Sequence, residues 1–214
     1  MSKIALIDLH FLPSLEYFCA LLDFNQIIIE RHERFVKQSY RNRSFILTSQ
    51  RVEMLTVPVT GRHTGVLFKD VRIDNSKRWQ QHMLRTIMSA YRSAPFYEHY
   101  YPELDSLLSK KFTFAYDLNM AALSFCLKSL RWKKPVAETS VYGPPEPGVT
   151  DMRSVINDRE SFSQRKLYKP VPYYQVFGSK FSENLSLIDL LFCKGPGSEE
   201  VLSASGATNR KSVV

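Results

Sequence analysis

Short apolar runs separated by polar turns dominate the first half of the chain. Lys3 to Leu9 is apolar apart from Lys3 and Asp8, the pattern of a short strand buried on both faces. Pro13 suits the first turn of a helix, where its missing N–H is no loss, and Leu15, Phe18, Cys19 and Leu22 follow at helical spacing. Gln26 to Glu30, with three consecutive isoleucines, reads as a second buried strand. Strand, helix and strand in this order predict a βαβ unit with a parallel pair and a right-handed crossover.

The middle of the chain alternates differently. Ser44 to Leu47 and Met54 to Val59 read as strands around a turn near Ser49-Gln50. Residues 60–65 form a turn-rich connection, and Val66 to Ile73 alternates with one break, so a central β-meander is expected. Ser76 is a candidate N-cap for a helix to Tyr91. On that helix Trp79, Met83, Ile87, Ala90 and Tyr91 fall within about 120° of one another, a core face. Arg78, His82, Arg85 and Ser89 share the adjacent flank. Further helices are expected over Pro102–Leu108 and Leu118–Leu130, the latter capped by Asp117.

Gly143 to Thr150 holds three prolines and two glycines and reads as a loop. Val155 to Pro172 is polar and weakly patterned, and Tyr173 to Phe177 reads as a strand. Ser186 opens a last helix to Cys193, with Asp189 placed as in a capping box and Gly195 beyond its end. From Glu199 onward small and polar residues predict a disordered tail. The expectation is a single α/β domain over 1–198, with a mixed α+β arrangement as the alternative, and a tail over 199–214.

At 214 residues, 44% apolar and 13% aromatic, the chain has enough material for one substantial core. Its apolar runs fall well short of the roughly 20 residues a spanning helix needs. The first of them ends at Asp8 before any small-residue cleavage site, so a cytoplasmic chain is expected. Cys19, Cys126 and Cys193 are far apart among apolar neighbours and read as reduced, buried thiols.

The net charge of +8 is unevenly spread. The windows Glu30–Arg43, Lys77–Arg92 and Lys128–Lys134 together carry +11, leaving the remainder net negative. Such clustering favours an anionic partner. Phosphate, a nucleotide-sugar, nucleic acid or an acidic membrane face would fit, and the alternative is that these windows are solvated helix faces rich in Lys and Arg. Nucleic acid is disfavoured, because the basic windows lack aromatic platforms and known binding modules. The oligomeric state is not legible.

Several residues could carry chemistry. If Tyr40-Arg41-Asn42-Arg43 is extended, Arg41 and Arg43 project from one face as a fork for phosphate or carboxylate, with Asn42 opposite. The alternative is two solvated arginines on an edge strand. His82, flanked by Arg78 and Arg85, could be a neutral imidazole acting as a base, or an exposed helix histidine. His10 follows the first strand, where ligands of open α/β sheets gather. Asp189 sits in a helix apolar nearly all round and needs a partner, either its own helix N-terminus or an arginine. Tyr173 and Gln175 offer a hydroxyl and an amide suited to a sugar or amide ligand, or Tyr173 is a core tyrosine with a satisfied hydroxyl. No P-loop, dinucleotide fingerprint, nucleophile elbow or zinc spacing is present, and the histidines at 10, 32, 63, 82 and 99 form no close pair. No metal or cofactor is expected.

These pieces together resemble the WbqC-like protein family. The resemblance rests on Phe11-Leu12-Pro13 with Tyr17-Phe18, Tyr40-Arg41-Asn42-Arg43, Leu55-Thr56-Val57-Pro58-Val59, Trp79 with His82, and Ala94-Pro95-Phe96. It continues through Tyr173-Tyr174-Gln175-Val176-Phe177, the segment Asn184 to Phe192, and Gly195-Pro196, covering about 3–197. Many members carry His-Gln-Pro-Asn where this chain has Ile7-Asp8-Leu9-His10. The resemblance implies surface-polysaccharide or O-antigen chemistry: transfer of an acyl or aminoacyl group, such as glycine, to a sugar. The alternative is a non-catalytic scaffold of a glycan-assembly pathway. On the transferase reading that the resemblance implies, Arg41 and Arg43 hold a small anionic donor, a nucleotide-sugar or an activated acyl group, His82 is the base and Asp189 orients an arginine or a substrate amine. That reading requires Arg41, Arg43 and His82 to meet at one hollow.

Overall fold

The apolar runs at the N-terminus build the centre of a parallel sheet. The computed structural model describes residues 3–61, 65–178 and 180–206. In it β1 (Ile4–Ile7), α1 (Leu15–Leu21) and β2 (Gln26–Ile29) form the expected βαβ unit, with Ile4 opposite Gln26 and Ile7 opposite Ile29. β3 (Arg43–Leu47) and β4 (Val52–Thr56) make a separate antiparallel hairpin. Three helices follow: α2 (Trp79–Tyr91), α3 (Tyr97–Leu108) and α4 (Ala115–Ser129). The chain then returns to the sheet as β5 (Val136–Glu138) and β6 (Val149–Asp151). It closes with α5 (Phe162–Arg165), α6 (Leu187–Lys194) and α7 (Ser198–Gly206).

The parallel sheet has the order β5-β2-β1-β6. From β1 the chain steps outward to β2 and β5, then crosses back to place β6 on the other side of β1. The direction of winding therefore reverses at β1 and β6, where open α/β sheets leave a crevice at their carboxyl ends. The central strands β1 and β2 are short, apolar and largely buried, whereas the edge strands β5 and β6 are more polar and exposed.

α6 runs through the interior, and every residue from Leu187 to Cys193 is buried. α2 buries Trp79, Met83, Ile87, Ala90 and Tyr91, the face expected from helical periodicity. The Phe11-Leu12-Pro13 stretch links these layers. Leu12 adopts a φ of 39°, a left-handed conformation costly for a side chain with a Cβ. Its carbonyl accepts hydrogen bonds from the Ser44 and Ser186 hydroxyls, at 2.7 and 2.9 Å, which hold that conformation in place.

Five expectations need correction. The third strand of the meander does not form. Phe68 is fully buried against Phe35 and Tyr116, and the chain around it tightens into a 3₁₀ turn over Phe68–Asp70 with single bridges to either side. Neither expected cap forms: the Ser76 hydroxyl turns back to Asp74, with Arg78 at the N-cap of α2, and Asp117 lies inside the first turn of α4, whose N-cap is Phe114. Residues 173–177 are not a strand; the Gln175 side chain bonds the Ser182 backbone at 2.9 Å in both directions. Finally, residues 198–206 are helical rather than a tail. Val201 and Leu202 are buried, and a Cβ on Gly206 would lie 2.3 Å from Leu22 Cδ1. The small residues there mark close packing of α7 on α1. Residues 62–64 of the predicted turn and 207–214 of the predicted tail lie outside the described residues.

Candidate functional site

Polar residues follow the parallel strands, Asp8, Glu30 and Thr139 directly and Arg153 after Met152, and the register brings them together. The Glu30, Thr139 and Met152 N–H groups donate to Ile7, Ile29 and Leu6, so each ladder runs one residue past its strand. This places Asp8, Glu30, Thr139 and Arg153 side by side at the carboxyl end of the sheet. Glu30 is fully buried. Its carboxylate accepts from the Thr139 hydroxyl at 2.7 Å, the His32 N–H at 2.8 Å and Arg153 Nη1 at 2.9 Å.

Above these residues lies a cavity of about 520 Å³, lined by Asp8, His32, Glu33, Arg34, Arg41, Arg153 and their neighbours. Its inner wall is a charge cluster. Glu33 receives two hydrogen bonds from Arg41, Nε to Oε1 at 2.8 Å and Nη2 to Oε2. The same Arg41 Nη2 lies 3.1 Å from Asp8 Oδ2, which also accepts the Ser154 N–H at 2.8 Å. Two carboxylates thus share one guanidinium, and all three side chains are buried.

Burial and the neighbouring Asp8 carboxylate push the Glu33 carboxyl up to about 7, against the hydrogen bonds from Arg41 that pull it down. A carboxyl in that range can give or take a proton near neutrality. At the rim, Arg34 is exposed and has no ion pair among the described residues. Arg153 is held flat by Asp151 and Glu30 and stacks on the Tyr142 ring at 4.8 Å.

Behind the wall sits His10, buried between Tyr17 and Tyr40 with ring centroids 5.0 and 5.3 Å away. Burial first, then Arg41 and Arg165, hold its imidazole well below the ordinary value, so it is neutral. Arg165 itself grips the fully buried Glu16 through two 2.7 Å hydrogen bonds and ties α5 to α1. Among the described residues no three His, Cys, Asp or Glu side chains are grouped as metal ligands.

A family model for the WbqC-like protein family matches residues 9–161. The chain belongs to this family. No curated protein and no solved structure shows significant similarity to it. The WbqC-like match takes in Glu33, Arg41 and Arg153, and it ends before Arg165, Tyr173, Gln175 and Asp189.

The residues singled out from the sequence of this WbqC-like chain are not gathered at one place. Arg41 and Asn42 lie in a turn rather than an extended strand, so they do not present a fork with Arg43. Arg41 enters the strand-end wall. Asn42 is buried, its amide donating to Val57 O, and Arg43 reaches only Gln38 O at 3.5 Å. His82 and Arg85 are exposed on α2 and line a different groove, beside β4, which shares no residue with the strand-end cavity.

Asp189 neither caps its helix nor meets an arginine. The Tyr91 and Tyr173 hydroxyls donate to its two oxygens at 2.7 and 2.5 Å, and Gln175 Nε2 adds a bond at 3.1 Å. Burial raises the Asp189 carboxyl against these bonds. Tyr173 and Gln175 are therefore occupied in the same network.

Asp8, Glu30, His32, Glu33 and Arg153 escaped the sequence reading. For Asp8, Glu30, His32 and Glu33 the signal was present, because each stands within a few residues of the carboxyl end of β1 or β2, and applying the strand-end rule to both strands rather than to His10 alone finds them. Arg153 follows β6, a short exposed strand in a segment that reads as a loop, and carried no such signal.

Proposed function

We propose that this WbqC-like chain is a cytoplasmic transferase that moves an acyl or aminoacyl group, such as glycine, from an anionic donor to a sugar of a surface polysaccharide such as O-antigen. One observation carries the chemistry: the Glu33 carboxyl, poised near neutrality, lies in the wall of a cavity at the winding reversal of the sheet. Family membership carries the substrate class. Among the described residues no helix is long and apolar enough to cross a membrane.

On this reading Arg34 and Arg153 receive the negative charge of the donor at the rim. An amine or hydroxyl of the sugar attacks the donor carbonyl carbon. Glu33, ionised, takes the proton that the nucleophile loses, and the donor's leaving group departs with the bonding pair. Arg41 keeps Glu33 aimed and limits the repulsion from Asp8. His10, being neutral, adds no further positive charge behind the pair.

The test compares the surface polysaccharide of cells with and without this chain by mass spectrometry. Loss of an acyl or aminoacyl substituent from an otherwise complete polysaccharide supports the reading. An unchanged substituent pattern overturns it, and loss of the whole polymer points to a scaffold instead.

A further inference from the structure

The β3–β4 hairpin has one closed edge and one open edge. The Thr48 N–H donates to Arg51 O and the Val57 N–H to Asn42 O. With Phe45 opposite Met54, these bonds make Ser44–Leu55 and Ile46–Glu53 the hydrogen-bonded pairs of the ladder. The N–H and C=O groups of Val52, Met54 and Thr56 therefore point away from β3. On the β3 side, Phe45 O accepts from the Ser186 N–H at 2.8 Å and the Leu47 N–H donates to the Tyr91 hydroxyl oxygen at 3.2 Å. On the β4 side, among the described residues, nothing pairs with the outward groups. Proteins usually blunt such an edge; this one carries exposed Val52 and Met54.

The open edge borders a trough. A cavity of about 590 Å³ lies between β4 and α2, floored by Leu55, Trp79 and Met83. It shares His82, Arg85 and Thr86 with a second cavity of about 270 Å³ that continues to the hairpin turn at Thr48 and Ser49. The α2 flank of this trough carries Arg78, His82 and Arg85. Neither arginine has an ion pair among the described residues, whereas Glu53 is matched by Arg51 at 3.1 Å. The buried Trp79 indole N–H, on the same wall, has no acceptor among the described residues.

The geometry points to β4 as the docking edge for an extended acidic segment of a partner protein, which adds a third strand to the hairpin and sets its carboxylates against Arg78 and Arg85. Backbone pairing supplies the affinity and the basic flank the selectivity. A second copy is a poorer occupant, because each copy carries the same basic flank on a chain of net charge +8. This surface lies apart from the strand-end cavity and does not depend on the transfer chemistry.

The test is fluorescence anisotropy at about 50 mM salt, where exposed charges are weakly screened, with a short labelled peptide alternating Glu and Val. Met54→Pro removes an outward N–H without breaking the β3–β4 ladder. Binding to the wild-type chain is expected, with loss in Met54→Pro and at least about tenfold weakening in an Arg78→Glu, Arg85→Glu double variant. A peptide of the same charge with interspersed prolines, which cannot pair, should not bind. Circular dichroism checks that the variants fold; should Met54→Pro not fold, the double variant and the proline peptide still decide. No binding, or equal binding of the proline peptide, overturns the proposal. So does concentration-dependent dimerisation of the wild-type chain that Met54→Pro abolishes, because a second copy then holds the edge.

Discussion

Glu33 and Arg41 are joined side by side, with Nε and Nη2 of the guanidinium donating to the two carboxylate oxygens, while the same Nη2 reaches Asp8. One cation balances two buried anions. Removing it leaves both carboxylates uncompensated away from water, so Arg41→Ala should destabilise the fold by about 3–5 kcal/mol. Urea unfolding measures this. A change below about 1 kcal/mol, the range of an exposed pair, would show that the cluster is solvated.

The raised Glu33 carboxyl links stability to pH. Its folded value of about 7 exceeds the ordinary 4.5, so between these values the folded chain holds more proton than the unfolded one. This group's contribution to stability therefore falls as pH rises from about 4.5 to about 7 and is level above. Comparison of wild type with Glu33→Gln across that window should show a slope that the variant lacks. Parallel pH profiles would mean that Glu33 titrates normally.

Asp189 is expected to be structural. Asp189→Ala strands the Tyr91 and Tyr173 hydroxyls and should cost about 1–3 kcal/mol. At temperatures where the variant remains folded, substituent transfer per folded molecule should match wild type. A large loss of transfer with intact stability would place Asp189 in the chemistry.

α7 carries part of the core. Leu202 is fully buried, and Leu202→Ala should cost about 2–5 kcal/mol in thermal or urea unfolding. A disordered segment would tolerate the change with no measurable effect.

The sheet centre, the hairpin and the α2 core face were legible because they follow from periodicity alone. Ile27 to Ile29 and the Trp79–Met83–Ile87 spacing can hardly be arranged otherwise. Phe68 and the segment around Gln175 were misread because long-range contacts, rather than local pattern, decide their backbone. The α7 helix was missed for a related reason: Gly206 is small where the packing against Leu22 leaves no room, and composition alone cannot tell tight packing from disorder. Family likeness was legible from the order of motifs, and residues 9–161 place the chain in the WbqC-like family. The site was only half legible. Arg41 was recognised as a charge without its carboxylate partners, because Asp8 and Glu33 approach it only once β1 and β2 lie in register. His82 looked catalytic through its arginine neighbours, yet those side chains share an open flank of α2 rather than the strand-end wall.

The account turns on Glu33 as the group that moves the proton. The most direct test restores a chain-deficient cell with Glu33→Gln and measures the substituent on its surface polysaccharide, with the purified variant checked for folding. Loss of about 10²–10⁴ in transfer rate from a folded variant is the predicted result. Substitution at the wild-type level from the same folded variant would contradict it.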